Sequence, residues 1–353
     1  MQKILKYIIL IVGTIFGLMS IKNKKGLCYL KEAKLIIFSN LGILGISLLL
    51  ILVNGGNIKY TFELSFRFMI TILYSFVILN IFNLDEIYKL MIYLLFVSIL
   101  GWILEKGVNI LSISNIKSIS FFNSFSPFET HYFAASSINC CTFFMYYRKN
   151  KIISIISFIF VLLTFKRPAI VFSIILFLLP LFINIDKRIN KMIILIGKIM
   201  CITVTILWFY LLLSENSDIF FTIVNDIPEH FTQGRSTILN LVLDTGYKAA
   251  GLGSTNSITW HGIEMDLIQF LLETTIFGLI IIINTNISIA GRKLYSFIFM
   301  TFNMVTCLTG SSMYNIFGWI PIYIIYGCIN YKKSEKLKMK FPLIQRREKR
   351  YAK

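Results

Sequence analysis

Two guanidinium groups and one short acidic run carry most of the chemistry this sequence offers. Arg167 lies in Lys166-Arg167-Pro168, which interrupts an apolar stretch from Ile152 to Ile185, and Arg235 lies in Gly234-Arg235-Ser236. A guanidinium is a rigid fork of donors matched to phosphate and carboxylate, so each arginine is a candidate anion ligand, with Lys166 beside the first. A snorkelling hairpin turn is the plain alternative for Lys166 and Arg167. Downstream, His261, Glu264 and Asp266 follow closely on one another, and any of the three has the chemistry of a general base. Asp266, Gln269 and Glu273 recur at i, i+3 and i+7, and Asn284 follows five turns after Asp266. In one unbroken helix these four share an azimuth and line a hydrated cavity. Hydrogen bonding between helices is the competing account for Gln269 and Asn284. His131, in Phe128-Glu129-Thr130-His131-Tyr132, is a further base candidate, whereas His230 reads as a surface residue. Arg67 belongs to the same inventory as a cavity residue, although an i,i+4 pair with Glu63 explains it more simply.

The elements that must position these residues are membrane helices. The 353 residues are 56% hydrophobic and only 15% charged, with mean hydropathy +0.75, which excludes an ordinary soluble domain. Apolar runs of roughly 17 to 25 residues match the hydrocarbon thickness at the rise of an α-helix. The expected fold is all-α: a polytopic helical membrane protein, one integral membrane domain over 1–353. It has about eleven transmembrane helices (ten to twelve). Their approximate limits are 4–21, 35–53, 64–82, 87–104, 131–147, 151–165, 168–185, 191–213, 265–290, 294–309 and 314–330. The first has a short basic lead but no small-x-small cleavage site, and reads as an uncleaved span. The six cysteines fall in spans or a short basic loop, spaced for neither a disulfide framework nor a metal site.

Lys and Arg collect at 22–34, 148–151, 187–191, 292–293 and 332–353, and with eleven spans all of these fall on one side. That places the C-terminal tail 331–353 in the cytoplasm, and the N-terminus and the long 214–264 loop outside. Lys3 and Lys6 argue mildly the other way. The net charge of +18 is therefore a topology signal, and the tail an anchor on anionic lipid rather than a nucleic-acid binder.

Within the long loop, Ile238, Leu241, Val242 and Thr245 predict a short amphipathic helix over Thr237 to Tyr247, lying at the membrane interface. Ser236 is placed to cap it, and its free N–H groups beside Arg235 make an anion site. Gly246 ends it. The following Gly251-Leu252-Gly253-Ser254 reads as a phosphate-binding turn or, more plainly, as a turn.

Taken in order, several of these pieces resemble the O-antigen and capsular polysaccharide polymerases (Wzy type), which are related to the O-antigen ligases. The pieces are Phe128 to His131 before a span, Thr164 to Ala169 between two spans, Gly234-Arg235-Ser236, Gly251-Leu252-Gly253, and Glu264 to Leu267 leading to Leu272-Glu273-Thr274 and Gly278. They cover about 128 to 280. Ligases usually place His where Glu264 stands, and the family's common Gly is Thr275 here; the acidic version is more similar to a polymerase.

The resemblance implies a metal-independent and cofactor-free glycosyltransferase in the bacterial cytoplasmic membrane, working on its outer face. It would transfer a glycan from undecaprenyl pyrophosphate to the next lipid-linked repeat unit, alongside flippase and chain-length regulator proteins. Arg167, Arg235 and Lys166 would bind pyrophosphate, and Glu264, His261 or Asp266 would serve as base. Glu273, Gln269, His131 and Arg67 would line the substrate cavity. The rivals are a flippase of lipid-linked oligosaccharide, a ligase-like glycan transferase and a non-catalytic membrane subunit.

Overall fold

The computed structural model describes residues 2–107, 112, 128–130, 132–259, 262–291 and 293–332. Two of the candidate histidines, His131 and His261, lie outside the described residues, as does most of the basic tail. The chain is helical, with no strand among the described residues. Each predicted apolar segment contains a helix. These are α1 Gln2–Ile21, α2 Leu30–Asn54, α3 Ile58–Ile81, α4 Leu84–Lys106, α5 Tyr132–Tyr147, α6 Lys151–Leu163, α7 Arg167–Phe182 and α8 Lys191–Leu211. Past the long loop come α12 Asp266–Ala290, α13 Leu294–Thr309 and α14 Ile316–Tyr331. Five of them, α2, α3, α4, α8 and α12, are long and apolar enough to cross a membrane.

The long loop is itself folded. It contains α9 Ser217–Val224, α10 Pro228–Phe231 and α11 Arg235–Asp244, with 3-10 turns at Ser214–Asn216 and Ser254–Ser257. Its order comes from apolar anchors. Phe220 is fully buried and packs with Trp208 and Phe231, ring centroids 5.7–6.0 Å apart, while Leu239, Val242 and Ile263 have no exposed surface.

The chain divides into two compact units, Met1–Ile81 with Arg188–Tyr323, and Phe82–Lys187 with Ile324 onward. In the first, α12 is the central helix, packed on α2, α8 and α13, while α3 packs on α1 and α2. Polar contacts join these helices where hydrocarbon gives no hydrophobic reward for association. Ser39 Oγ and Thr285 Oγ1 lie 2.6 Å apart, and Asn40 Nδ2 donates to the Ser65 carbonyl at 3.0 Å. Gly17 lets α1 close on α3, since a Cβ there would stand 2.0 Å from Val77 Cγ1. In the second unit, α5 packs on α4, α6 and α7, and its contact with α4 is an aromatic cluster of Tyr88, Phe143 and Phe144. Asn83 and Glu86 start α4 with a reciprocal capping box.

Three local expectations change. The loop helix α11 begins at Arg235, two residues before the predicted start, so Ser236 lies inside it and does not cap it. The Thr232 hydroxyl accepts from Ser236 N–H at 3.0 Å instead. The buried face is Ser236, Leu239 and Val242; of the predicted stripe only Val242 belongs to it, Leu241 being 55% exposed. The apolar residues Ile238, Leu239, Leu241, Val242 and Leu243 spread over a wide arc of the helix, so periodicity offers more than one face and packing selects one. Third, α12 is broken at Thr275, whose φ of 62° and ψ of −174° are not helical. The azimuth therefore does not carry through to Asn284, which is exposed and accepts from Lys198 Nζ on α8 at 2.7 Å.

Candidate functional site

The first turns of α12 hold Asp266, Gln269 and Glu273, all buried. In so apolar a setting a carboxylate must be fully engaged, and Glu273 is. Its Oε2 accepts from Gly253 N–H at 2.6 Å. Its Oε1 accepts from Thr255 N–H at 3.1 Å, Thr255 Oγ1 at 2.6 Å and Gln269 Nε2 at 2.9 Å. The Gly251 N–H adds a bond to the Glu273 carbonyl at 3.0 Å, next to the break at Thr275.

The glycine-rich turn is thus an anion-binding nest, and the anion it binds is the protein's own Glu273 rather than a phosphate. Its glycines are required by close approach as well as by positive φ. A Cβ on Gly251 would stand 2.8 Å from the Ser47 carbonyl oxygen, and one on Gly253 2.9 Å from Leu64 Cδ1. The turn is tied to two further helices: Leu252 N–H donates to Ser47 Oγ at 3.1 Å, and Thr61 Oγ1 donates to the Leu252 carbonyl at 2.8 Å.

Asp266 does the same for another connection. Its Oδ2 accepts from the N–H groups of Ser312 and Met313, both at 2.6 Å, and Trp319 Nε1 donates to the Ser312 carbonyl at 2.9 Å. The turn between α13 and α14 is stapled to the start of α12.

Glu264 differs. It sits in left-handed backbone at φ 55°, two residues past Gly262 at φ 71°, and its side chain is 45% exposed. Arg235, from the start of α11, brings Nε to 3.7 Å from Glu264 Oε2, and its Nη1 donates to the Thr232 carbonyl at 3.2 Å. The Nε hydrogen has no hydrogen-bond acceptor. A predicted anion ligand and a predicted base, 29 positions apart in the chain (264 − 235), are neighbours in a loosely closed pair. The free N–H groups expected beside Arg235 are largely committed, those of Arg235 and Ser236 going to the Thr232 carbonyl and hydroxyl.

Arg67 forms the plain i,i+4 pair, its Nη2 2.5 Å from Glu63 Oε1. In the second unit Lys166 Nζ lies 3.4 Å from Glu129 Oε1, at a junction where Thr130 N–H donates to the Thr164 carbonyl at 3.3 Å. Arg167 is exposed at the first position of α7 and has no ion pair among the described residues. His230 is at the surface as expected, but it is paired: its Nδ1 lies 2.8 Å from Asp226 Oδ2, and that hydrogen bond holds the Asp226 carboxyl below the usual carboxylate range.

Among the described residues no three His, Cys, Asp or Glu side chains converge as metal ligands would. Tyr314 is the residue that sequence reading passes over. It lies in the stapled turn after Gly310, with its ring on Phe68 and Phe270, and nothing in the local sequence marks it. No family model, curated protein or solved structure matches the chain.

Proposed function

We propose that this protein polymerises lipid-linked oligosaccharide repeat units, transferring a glycan from a polyprenyl pyrophosphate to a hydroxyl of the next unit on the outer face of the membrane. The observation that carries this reading is the Arg235–Glu264 pair: an exposed carboxylate and an under-bonded guanidinium, 3.7 Å apart, mounted on a platform that Glu273 and Asp266 hold rigid. Glycosyl transfer from a pyrophosphate needs little more. The leaving group is already activated, so the enzyme must bind it, stabilise the charge that develops on it, and take the acceptor proton.

In this reading Arg235 presents its fork to the departing pyrophosphate, Glu264 turns to the acceptor hydroxyl, and their mutual pair opens when substrate enters. The acceptor oxygen forms a bond to the anomeric carbon, the bond from that carbon to the pyrophosphate oxygen breaks, and the hydroxyl proton passes to Glu264. All eleven apolar helices cross the membrane, the shorter ones included, with the 214–264 loop outside. The apolar helix faces hold the polyprenyl chains.

The test is deletion of the gene followed by gel analysis of lipid-linked and surface glycans. Loss of the polymer ladder with single repeat units still exported is the expected result. Units trapped inside would make the protein a flippase, and an intact ladder retained on lipid carrier would make it a ligase. Complementation with Arg235→Lys should fail at normal protein level, because a point charge cannot replace the bidentate fork.

A further inference from the structure

The helices α9 and α10 carry most of their apolar side chains on the outside. Ile219, Phe221 and Ile223 of α9 are 44–66% exposed, and Ile227 and Phe231 at the two ends of α10 are each 51% exposed, while Phe220 is the one buried residue of α9. Five large apolar side chains exposed within residues 219–231 mark a surface that meets something other than water. At about 100° per residue, Ile219, Ile223, Phe220, Val224 and Phe221 occupy an arc about 200° wide, and Asp218 and Thr222 lie opposite it. Phe220 is at the middle of that arc, so exposed apolar residues flank its packing contact on both sides.

What Phe220 packs against fixes the depth. Its ring lies 5.9 Å from that of Trp208 on α8, and Phe231 lies 6.0 Å from Trp208 and 5.7 Å from Phe220. The 21 residues of α8 make a rod about 30 Å long, the thickness of the hydrocarbon core. Trp208 precedes the last residue, Leu211, by about 4.5 Å of helical rise, in the zone where membrane tryptophans collect. The loop is also tied to this end of α8. Asn216 Nδ2 donates to the Tyr210 carbonyl at 2.8 Å and Asn240 Nδ2 to the Leu212 carbonyl at 3.1 Å, occupying carbonyls that the end of a helix leaves free. So α9 and α10 fold back beside the end of α8 rather than rising above it.

Two observations make lipid the neighbour. Thr205 alone of the α8 side chains is buried, and Leu207 and Tyr210, beside Trp208, are 54% and 49% exposed. The apolar surface of α9 and α10 therefore continues the surface with which α8 meets the membrane. The second observation is charge. No Lys or Arg occurs from Ile199 to Gly234, where Glu215, Asp218, Asp226 and Glu229 stand. An interfacial helix drawn to anionic headgroups is basic on its polar face. Here apolar area alone must supply the attraction, and apolar area is rewarded at the acyl-chain boundary.

We propose that α9 and α10 form a hairpin seated in the membrane leaflet at the loop end of α8, with Ile219, Phe221, Ile223, Ile227 and Phe231 among the lipid acyl chains. The sequence pattern assigns the interfacial part to α11; the exposed apolar residues put most of it on α9 and α10. For the proposed polymerase, and resting on that reading, the seat holds Arg235, four residues past Phe231, at the depth where a lipid-borne pyrophosphate lies.

The test is the accessibility of a nitroxide on the full chain in phosphatidylcholine nanodiscs. Ile223→Cys and Lys248→Cys are each spin-labelled, and the signal of wild type carried through the same labelling is subtracted for the native cysteines. Oxygen concentrates in hydrocarbon and a nickel chelate stays in water. The ratio of relaxation by oxygen to relaxation by the chelate should be several-fold higher at 223 than at 248. It should not change when phosphatidylglycerol is added, since no basic residue of the hairpin draws it to anionic headgroups.

Equal ratios at 223 and 248 would put the hairpin in water and overturn the proposal. Low access to both reagents at 223 would mean a protein cover and overturn it too, and dipolar broadening that vanishes on dilution with unlabelled chain would identify that cover as a second copy. A high ratio that appears only with phosphatidylglycerol would overturn the apolar account. If Ile223→Cys does not fold, wild type irradiated with phosphatidylcholine carrying a diazirine in its acyl chain decides the matter. Adducts on residues 219–231 are expected, and adducts confined to the long helices would overturn the seat. No glycan enters either measurement, so a protein that polymerises nothing can keep the hairpin, and a polymerase can lose it.

Discussion

Glu273 and Glu264 lie nine positions apart (273 − 264) and have the same side chain, yet they occupy opposite regimes. Glu273 is buried and accepts four hydrogen bonds, two of them from the backbone of a distant turn. Glu264 is 45% exposed, in left-handed backbone, and has only a 3.7 Å approach from Arg235. A carboxylate engaged by four donors in an apolar interior is poorly placed to take up a substrate proton, and moving it would strand those donors. A carboxylate held by one long ion pair can exchange that partner for a ligand at small cost, since exposed pairs are worth only about 0–1 kcal/mol. In the proposed polymerase, burial is therefore the wrong criterion for the reacting group. The buried carboxylates, Glu273 and one oxygen of Asp266, build the platform, and the exposed one is free to react.

The largest effect separating these roles is expected at Glu273. Glu273→Ala leaves the Gly253 and Thr255 N–H groups, the Thr255 hydroxyl and the Gln269 amide without a partner, and should destabilise the first unit by about 3–5 kcal/mol. Thermal unfolding in detergent and proteolysis at 248–259 read this directly, with cleavage expected to rise. If Glu273→Gln instead melts like wild type but makes no polymer, Glu273 is chemical and the contrast is wrong.

Glu264→Gln should reverse that pattern. Unfolding should shift by less than about 1 kcal/mol, while polymer formation from purified lipid-linked repeat units should fall by about a hundredfold or more, as for loss of a general base. The loss should lie in kcat. A drop confined to KM would make Glu264 a binding residue, and a large loss of stability would make the Arg235–Glu264 pair another staple.

How much of this arrangement is legible in the sequence depends on the range of the interaction. The helices are, because hydrocarbon thickness and the rise of a helix set a length scale that hydropathy samples directly. Arg235 and Glu264 stand out as charged residues that the membrane does not explain. What is hidden is partnership. Glu273 is held by residues 18 and 20 positions upstream, and Asp266 by residues 46 and 47 downstream, separations with no periodic signature. The glycine pair marks a nest but not which anion fills it. The polar stripe on α12 fails at Thr275, where a β-branched residue takes a conformation that sequence rules reserve for glycine.

That break supplies a smaller test of the platform. Thr275 at φ 62° and ψ −174° is in a region populated almost only by glycine, at a strain of about 1–3 kcal/mol. Glycine would relieve it, less about 0.5–1 kcal/mol for the greater freedom of the unfolded chain. Thr275→Gly should therefore stabilise the protein by about 1 kcal/mol with polymer formation unchanged. Destabilisation would mean that the side chain itself, not the backbone turn, holds α12 at the loop.

The smallest effect belongs to a third carboxylate, Asp226, whose side chain at 33% exposure lies between the other two. It pairs with His230 four residues on, and that hydrogen bond lowers its pKa below the ordinary value. A group whose folded pKa is depressed contributes stability above its unfolded pKa, about 3.9, and loses it as pH falls through the folded value. The window is therefore acidic, below about pH 4. Solvent screening makes the contribution to unfolding negligible, so the measurable signal is local. Carbon-13 titration of labelled aspartate should show one exposed carboxyl titrating below the rest, returning to the ordinary value in His230→Ala, with polymer formation untouched. If His230→Ala left that titration unmoved, the pair would have no electrostatic content, and hydrogen bonding by a near neighbour could not be used to grade the three carboxylates. If it abolished polymerisation, the His230–Asp226 pair would join Glu264 in the site.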